Sequence, residues 1–315
     1  MKAVFLDTLS MGTDIDLTPL KQSVSTLICH DHSTTEQAVE RLQDADIAVV
    51  NKVVLNERVF AQCPQLKLIT VTATGTNNIE LPAAERRGIR VCNATHYGRS
   101  ALVQHNFALL LSLANNLPAY LEDVRNGKWQ QAQQFCLMDH PIMELKGKTM
   151  GIIGFGDLGQ GMATMAEAFG MKVLIAQRGK QHQADRVPLP SLLPQVDVLS
   201  IHCLLSPQTA NLITLNELRQ MKTSALLLNT ARGGIVNEKD LLVAIQEGMI
   251  AGAGVDVLSE EPPKNGNPLL AVTLPNLLVT PHCAWASREA RQRIVDITSR
   301  SITEFREGNL RRWVI

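Results

Sequence analysis

The sequence predicts an α/β protein that contains two doubly wound parallel sheets. Short apolar runs alternate with helical segments along most of the 315 residues, and this alternation is typical of βαβ units. A glycine-rich turn near Gly154 joins one apolar run to a helical segment. The length suits two domains of ordinary size.

The first part of the chain is predicted to form a small α/β domain of its own. The runs at 3–7 (AVFLD) and 25–29 (STLIC) are both expected to be buried strands. The predicted strands of this part are 3–7, 25–29, 46–50, 68–72 and 89–92, and its predicted helices are 34–43 and 81–87.

A long helical segment is predicted from Arg99 to Asn126. Its middle, residues 107–114, reads FALLLSLA and is apolar on nearly every side, which indicates burial. Pro118 is expected to kink or restart the helix. We expect such a helix to lie between two domains or in a subunit interface, and residues 127–148 to form an irregular surface loop.

The stretch from Met150 to Gln177 has the order strand, glycine-rich turn, helix, strand, which is the unit that binds a dinucleotide. Gly154 allows a tight turn, Gly156 lets the backbone approach a pyrophosphate, and Gly159 lets the helix pack closely on the sheet. The helix N-terminus would attract the phosphates. The apolar face of the helix is predicted to comprise Leu158, Met162, Met165, Ala166 and Phe169.

The end of the second strand leaves the choice of cofactor open. An acidic residue usually stands there and binds the 2′-hydroxyl of the adenosine ribose. This chain has Gln177 and Arg178, followed by Lys180. Glutamine does not repel a 2′-phosphate, and the two cations could attract one. NAD(H) and NADP(H) are therefore both candidates, with Arg178 as an ordinary solvated cation the alternative.

The remainder of the second domain completes a six-strand pattern. Further strands are predicted at 196–201, 224–228, 250–255 and 277–280, with helices at 215–221 and 238–247. An amphipathic helix at 286–307 is expected to return to the first domain and pack on it. We therefore predict a discontinuous substrate domain, 1–97 plus 286–315, and a dinucleotide-binding domain, 98–285.

Composition argues against several classes of protein. Lys and Arg total 30, as do Asp and Glu, so no net charge attracts nucleic acid or a membrane surface. The six cysteines contain no C-x-x-C pair, so neither a metal site nor a disulfide framework is expected, and reduced thiols in a cytoplasmic protein are the simplest interpretation. No signal sequence and no apolar run of membrane-spanning length is recognised.

Polar residues follow four predicted strands of the second domain, where ligands bind in open α/β sheets. These strand-end segments are His202, Asn229–Gly234, Asp256–Pro262 and Thr280–Trp285.

The motifs GIIGFGDLGQG, LLLNTARGGIVNE, GAGVDVLSEEPP and LLVTPHCAWAS, in this order, resemble those of the NAD(P)-dependent D-2-hydroxyacid dehydrogenases. TATGTNNIEL in the first domain is a fainter match. TATGTNNIE, KWQQAQQFC and HCAWAS resemble most the members that reduce hydroxypyruvate, the D-glycerate dehydrogenases. The resemblance covers nearly the whole chain and implies two Rossmann-like domains.

The resemblance implies that Arg232, Glu261 and His282 are the catalytic residues. The chemistry of these side chains fits the roles. A guanidinium can hold the carboxylate of a 2-oxo acid and polarise its ketone. Histidine is a suitable proton donor near neutral pH, and a carboxylate on its other ring nitrogen favours the imidazolium and fixes the ring.

The resemblance also implies the binding residues. The expected cofactor contacts are Gly154, Gly156, Asp157, Leu158, Gly159, Gln177, Arg178, Thr230, Ala231, Arg232, Asp256, His282 and Trp285. The expected substrate contacts are Thr74, Gly75, Thr76, Lys52 and Arg232. Asp256 is expected to bind the nicotinamide amide. The backbone of Thr74–Thr76 is expected to receive the substrate carboxylate, and Trp285 either walls the nicotinamide pocket or lies in an interface.

Some positions depart from the family pattern. Leu204 stands where proline is usual and Gln104 where glutamate is common, so Gln104 receives no role. His202 is interpreted as structural or cofactor-adjacent, and His105 as a hydrogen-bonded buried histidine.

We therefore predict an enzyme that reduces hydroxypyruvate, and also glyoxylate, with NAD(P)H, without a metal and as a homodimer. Two alternatives stay open within the family, D-lactate and phosphoglycerate dehydrogenases, although Lys52 is the only cation that suits a phosphorylated substrate. A non-catalytic, NAD(H)-sensing interaction protein is the alternative from another class.

Overall fold

The computed structural model describes residues 1–177, 179, 184–310 and 313–315, which divide into two compact units. Unit 1 comprises Met1–Gly98 and Ala286–Ile315, and unit 2 comprises Arg99–Trp285. Each unit contains a parallel sheet with helices, so the predicted fold class is confirmed. The assignment of the substrate to the first unit and of the dinucleotide to the second stays a proposal.

Unit 1 has a five-stranded sheet in the order β2-β1-β3-β4-β5, and every neighbouring pair is parallel. Its elements are β1 (Lys2–Phe5), a 3-10 helix (Thr8–Met11), α1 (Thr18–Gln22), β2 (Thr26–Cys29), α2 (Thr35–Leu42), β3 (Ile47–Val50), α3 (Glu57–Gln62), β4 (Leu68–Val71), α4 (Leu81–Arg86), β5 (Arg90–Asn93) and α11 (Arg288–Arg306).

One strand prediction in unit 1 is wrong about burial. The strand predicted at 25–29 exists as β2, but three of its four residues are exposed. Among the described strands it pairs only with β1 and forms the edge of the sheet, so one side has no neighbouring strand there. Helix α3 begins after Asn56, whose side chain accepts a hydrogen bond from the backbone N–H of Val59.

The C-terminal segment completes unit 1. Helix α11 packs against α1 and β4. The last residues run beside β5, where the N–H of Val314 donates to the carbonyl of Val91, and the N–H of Val91 donates to the carbonyl of Ile315. Unit 1 is therefore made from both ends of the sequence.

Unit 2 has a six-stranded parallel sheet in the order β11-β10-β9-β8-β6-β7. Its elements are α5 (Arg99–Ala114), α6 (Leu117–Arg125), β6 (Thr149–Ile153), α7 (Asp157–Ala168), β7 (Lys172–Ile175), α8 (Leu189–Leu192), a 3-10 helix (Leu193–Gln195), β8 (Val198–Ile201), α9 (Leu215–Leu218), β9 (Leu226–Asn229), α10 (Glu238–Gln246), β10 (Gly252–Val255), a 3-10 helix (Pro268–Leu270) and β11 (Leu277–Val279). The strand order reverses between β6 and β8, and the glycine-rich turn follows β6.

The long helical segment is two helices, as Pro118 predicted. Asn116 has a left-handed backbone (φ 47°), and Pro118 lies in the first turn of α6. Helix α5 begins where unit 2 begins and packs on β9, β10 and α7 of that unit, which accounts for its burial. Its expected position between domains or in a subunit interface stays a prediction. Residues 127–148 contain no regular helix or strand, as predicted.

Two further sequence expectations need correction. Helix α9 ends at Leu218 rather than at residue 221, because the chain turns there and the N–H of Met221 donates to the Leu218 carbonyl. On the predicted apolar face of α7, Met162 and Ala166 are fully buried as expected, but Met165 and Phe169, which directly follows the helix, are about 40% exposed. Phe169 stacks on Phe107 of α5, with ring centroids 5.3 Å apart.

The three glycines of the turn have different constraints. Gly154 has φ 92° and approaches the backbone of His202 so closely that a side chain would not fit. A Cβ built at Gly159 would overlap the carbonyl oxygen of Gly154, so this glycine lets α7 pack against the end of β6. Gly156 has no atom within 4 Å of such a Cβ and an ordinary negative φ. The protein itself therefore does not require glycine at 156.

Within the described residues, no helix has both the length and the apolarity needed to span a bilayer.

The contrast between Gly159 and Gly156 gives a matched pair of variants. We expect Gly159→Ala to lower the free energy of unfolding by about 1–3 kcal/mol, the usual cost of overpacking against atoms that cannot move. Gly156→Ala should leave the free energy of unfolding within about 0.5 kcal/mol of the original, because its Cβ meets open space. Urea unfolding of the free protein measures both. Equal destabilisation by the two variants would contradict the assignment.

Candidate active site

The predicted catalytic side chains follow three adjacent strands of unit 2. Arg232 follows β9, Glu261 follows β10 and His282 follows β11, and β9, β10 and β11 are neighbours in the sheet. The strands are parallel, so their carboxyl ends lie along the same edge, where ligands bind in this type of sheet.

Glu261 and His282 form a direct pair. The Nδ1 atom of His282 lies 2.6 Å from Oε2 of Glu261, and both side chains are about one-third exposed. The other carboxylate oxygen accepts a 2.9 Å hydrogen bond from the N–H of Leu258. An ionised carboxylate can only accept, so Nδ1 is the donor. The Nε2 atom makes no hydrogen bond with the described residues, so it is the ring nitrogen that can exchange a proton with a ligand.

The backbone around His282 is tightly held. His282 has a left-handed conformation, φ 51°, which is uncommon for a residue other than glycine. Its N–H donates to the carbonyl of Thr280 at 3.0 Å, and its carbonyl accepts a 3.0 Å hydrogen bond from the indole N–H of Trp285. Trp285 therefore supports the His282 loop, and its predicted contact with the nicotinamide stays a prediction.

The carboxylate of Asp256 lies beneath the same loop. It is 1% exposed, and its oxygens accept hydrogen bonds from the hydroxyl of Thr280 at 2.5 Å and from the N–H groups of Cys283 and Ala284, both at 2.9 Å. These donors compensate the buried charge. Asp256 thus connects the end of β10 to the loop after β11. Its predicted contact with the nicotinamide amide stays a prediction.

The Arg232 loop is organised by Asn229. The Asn229 amide donates to the carbonyl of Arg232 at 3.0 Å, and its oxygen accepts from the N–H of Ala231 at 3.1 Å. Gly233 lies directly against the backbone of Leu258, where a Cβ would overlap the Leu258 carbonyl. The loop of Arg232 therefore packs on the loop of Glu261.

Thr230 is held from α5. Its hydroxyl accepts a 2.8 Å hydrogen bond from the amide of Asn106, which is buried. The Asn106 amide oxygen has no hydrogen-bond partner in the described structure.

The glycine-rich turn fits a pyrophosphate. No side chain caps the N-terminus of α7, and Gly156, the residue before this helix, is exposed with open space around it. An uncapped helix N-terminus attracts anions. Asp157 in the first turn of α7 would oppose a phosphate, but the Arg99 guanidinium lies 3.4 Å from its carboxylate and offsets the charge.

The end of β7 has no acidic residue among those described. The Gln177 side chain donates to the carbonyl of Gly179 at 3.2 Å. The predicted Arg178 lies outside the described residues, as does Lys180. Arg186, which the sequence analysis did not single out, lies with its guanidinium carbon 4.8 Å from the centre of the Phe155 ring, between the turn glycines. Arg186 is 31 residues after Phe155 in the sequence, so the sequence alone does not indicate this contact.

The predicted substrate residues of unit 1 form two loops. The N–H groups of residues 73–77 have no acceptor among the described residues, while Thr74 is held by hydrogen bonds to Ala94 and Asn93. This leaves Thr74, Gly75 and Thr76 with the free N–H groups predicted for an anion.

The second loop carries Lys52. The buried carboxylate of Asp7 accepts hydrogen bonds from the N–H groups of Asn51 and Lys52, at 2.8 and 2.7 Å. Lys52 lines a cavity of about 460 Å³ together with Asp7, Leu9, Ser10, Asp31, His32, Ser33 and Val53. The supporting role of Asp7 was not predicted from the sequence.

His202 is not part of this group. Its Nε2 atom lies 2.7 Å from the hydroxyl of Ser200, and its N–H donates to the carbonyl of Ile153. Burial lowers the pKa of His202 to about 4, so the ring is neutral at physiological pH. These contacts agree with the structural interpretation of this residue.

The fold and this arrangement define a class: dinucleotide-binding α/β oxidoreductases with a glycine-rich turn after one strand and a histidine–carboxylate pair at the carboxyl edge of the same sheet. Comparisons with known proteins specify it further. A sequence model described as "D-isomer specific 2-hydroxyacid dehydrogenase, NAD binding domain" matches residues 107–284. The chain therefore belongs to the D-isomer specific 2-hydroxyacid dehydrogenases, enzymes that depend on a nicotinamide cofactor.

Individual relatives agree with this family. A glycerate dehydrogenase of Methylorubrum extorquens is 46% identical over 275 residues, which are 87% of each chain. A hydroxypyruvate reductase of Blautia hydrogenotrophica is 36% identical over 98% of each chain. Among solved structures, an acyclic imino acid reductase in complex with NADPH and D-Arg superposes with a TM-score of 0.87 over the full length of both chains, at 26% identity.

Neighbouring glutamates offer a matched test of the pair. Glu261→Gln removes the charge that stabilises an imidazolium at His282, and we expect kcat/KM for a 2-oxo acid to fall on the order of 10- to 100-fold, part of the 10²–10⁴ that general acid–base catalysis contributes. Glu260→Gln should have no effect, because Glu260 is exposed and its hydrogen bonds in the described part of the chain go to Asn265. Steady-state rates measure both, and similar losses would contradict a special role for Glu261.

Proposed function

We propose that this enzyme reduces hydroxypyruvate to D-glycerate with NADH or NADPH, and that it also accepts glyoxylate. The main support is the Glu261–His282 pair, held at 2.6 Å beside the Arg232 loop on adjacent strand ends. The similarity to a glycerate dehydrogenase and to a hydroxypyruvate reductase supports this choice within the family.

The residues have complementary roles in the proposed reaction. Arg232 holds the carboxylate of the 2-oxo acid and polarises the ketone, because a guanidinium is permanently charged and planar. The nicotinamide, when bound, supplies the hydride to the ketone carbon. His282 then donates the proton on Nε2 to the developing alkoxide, while Glu261 stabilises the imidazolium through Nδ1. Oxidation of the hydroxy acid reverses the proton transfer.

The remaining predicted contacts belong to the same proposal. The exposed turn at Gly156 and the uncapped N-terminus of α7 support pyrophosphate binding. The N–H groups of Thr74–Thr76 and the ammonium of Lys52 are proposed to receive the substrate carboxylate. Asp7 and Asp31 line the cavity beside Lys52, and their negative charge disfavours the phosphorylated substrate of a phosphoglycerate dehydrogenase.

We infer that both nicotinamide cofactors are used. Gln177 stands where a carboxylate would repel a 2′-phosphate, and it can still hydrogen-bond to a ribose hydroxyl. Arg186 beside Phe155 adds a described cation near the turn, although it also pairs with Asp185 at 3.3 Å.

The predicted cytoplasmic location stays a proposal that cell fractionation would test.

The first experiment follows NADH and, separately, NADPH by absorbance with saturating hydroxypyruvate, glyoxylate, pyruvate or 3-phosphohydroxypyruvate. We expect fastest oxidation with hydroxypyruvate and measurable rates with both cofactors. No oxidation with hydroxypyruvate, from a protein that binds NADH, would contradict the substrate assignment.

The same assay tests the cofactor assignment. Gln177→Glu should raise KM for NADPH at least tenfold through charge repulsion, with KM for NADH changed less than threefold; a tenfold change corresponds to about 1.4 kcal/mol. Gln177→Asn is the uncharged control. An equal change for the two cofactors would contradict the role of this position.

We also propose a homodimer through α6 and the segment that follows it. Leu117, Leu121 and Val124 recur at helical spacing on α6 and are all more than 40% exposed. Trp129, Phe135, Met138 and Ile142 add further exposed apolar area, with Phe135 88% exposed. A contiguous stretch of this kind is typical of an interface, and a second copy is the partner to which we commit.

Light scattering of the native protein tests this interface. We expect twice the chain mass for the unchanged protein and for Val54→Arg, an exposed position in unit 1 that serves as control. Leu121→Arg should shift the mass toward that of one chain, because a buried unpaired cation opposes association. A dimer that persists in Leu121→Arg would place the interface elsewhere.

A further inference from the structure

His105 is hydrogen-bonded to Thr280, which in turn is hydrogen-bonded to the Asp256 carboxylate beneath the His282 loop. It is on α5, within unit 2, and its side chain is 21% exposed. Its Nε2 atom is 3.0 Å from the hydroxyl oxygen of Thr280 and 3.6 Å from Oδ1 of Asp256. Thr280 itself lies two residues before His282.

The chemistry of the three groups fixes the direction of these hydrogen bonds. The hydroxyl of Thr280 has one hydrogen, and the 2.5 Å distance to the buried carboxylate of Asp256 requires that hydrogen, because an ionised carboxylate can only accept. The hydroxyl oxygen can therefore only accept from the ring of His105. Nε2 of His105 carries a hydrogen, and the chain of donors runs from His105 to Thr280 to Asp256.

This series of hydrogen bonds ends at the backbone of the His282 loop. Asp256 accepts the N–H groups of Cys283 and Ala284, the two residues that follow the left-handed His282. A carboxylate that turned away from these donors would release the loop from its φ of 51°. The donor on α5 thus fixes the carboxylate through Thr280, and the carboxylate fixes the loop.

We propose that His105 is a positioning residue for His282, acting through Thr280 and Asp256 without contact with substrate. The proposal rests on the role of His282 given under the proposed function. Helix α5 packs on β9 and β10, so the donor is carried by an element that is itself fixed to the sheet. Such support matters because a displacement of about 1 Å in a catalytic group can cost on the order of 100-fold in rate.

A metal site is the competing explanation for the same residues. His105, Asp256 and Cys283 each have a potential ligand atom, and these atoms lie within 4.8 Å of one another. The hydrogen bonds already use the Asp256 oxygens and require a hydrogen on Nε2 of His105, which removes the lone pair of the ring nitrogen that lies 3.6 Å from Asp256. Burial and the neighbouring Asp256 charge also raise the pKa of the Cys283 thiol, which disfavours the thiolate ligand.

The first test compares His105→Ala with His105→Gln, since the glutamine amide can place an N–H close to the position of Nε2. We expect His105→Ala to lower kcat roughly tenfold to 100-fold with KM for the 2-oxo acid changed less than threefold. His105→Gln should recover most of kcat. Gln104→Ala, an exposed neighbour on α5, should match the unchanged enzyme. A glutamine variant as impaired as the alanine variant would overturn the proposal.

A double-mutant cycle tests whether the effect passes through Thr280. Thr280→Val removes the hydroxyl and should reduce kcat to a similar extent as His105→Ala, whereas Thr280→Ser should retain it. The two losses should be far from multiplicative in the double variant, because the residues belong to one chain of hydrogen bonds. Multiplicative losses would show independent effects and overturn the proposal.

A readout without turnover separates this proposal from the proposed function. In protein labelled with ¹³C-histidine, the ring signal of His282 is identified by its absence in His282→Ala. We expect this signal to shift in His105→Ala and to return in His105→Gln, whether or not any 2-oxo acid is reduced. An unchanged signal in His105→Ala would overturn the proposal. Loss of wild-type activity on dialysis against EDTA, restored by Zn²⁺, would overturn it in favour of a metal site.

Discussion

The buried carboxylate of Asp256 imposes the main constraint on the site. A charge that is 1% exposed must be compensated by donors, and the three direct donors come from the loop after β11. The carboxylate and the loop therefore determine each other's position. His282 obtains its uncommon backbone conformation within this network, and Glu261, five residues after Asp256, meets its ring from the adjacent strand end.

A second constraint is the close packing of backbone at glycine positions. Gly159 brings α7 against the turn after β6, and Gly233 brings the Arg232 loop against Leu258. The Gly233 contact joins the loops that follow β9 and β10, and the close approach of Gly154 to the His202 backbone joins the segments that follow β6 and β8. Gly156 differs because no protein atom lies within 4 Å of the position of a Cβ there. Only a bound ligand would need that space to be free of a side chain. Glycines at this edge therefore serve two purposes, packing and access, and the surrounding atoms distinguish them.

Much of this organisation could be predicted from the sequence. Alternating apolar runs predicted both sheets, and the G-x-G-x-x-G between a strand and a helix predicted the turn, because these signals are local. Polar residues at strand ends, with the family motifs, predicted that Arg232, Glu261 and His282 follow strands of one sheet, and the structure shows that these strands are neighbours. The exposure of β2 was not predictable in the same way, since edge position depends on strand order rather than on composition.

Contacts between residues far apart in the sequence were beyond sequence reasoning. His105 and Thr280 are separated by 175 positions, and only the packing of α5 on the sheet brings them together. The same applies to Arg186 beside Phe155 and to Asp7 beneath Asn51 and Lys52. The all-round apolar sequence of α5 indicated burial without indicating the partner, and its packing on β9, β10 and α7 became visible only in the structure.

The construction of unit 1 from both ends of the chain has a consequence for biosynthesis. Domains generally fold as units while the ribosome proceeds from the N-terminus. Here the whole of unit 2, Arg99–Trp285, is translated before α11 and the strand-like residues beside β5 are made. The nascent chain therefore carries an incomplete unit 1 whose surface for α11 is uncovered until α11 has been translated. Unit 2, whose translation begins after that of unit 1, is therefore the first unit that can complete its fold.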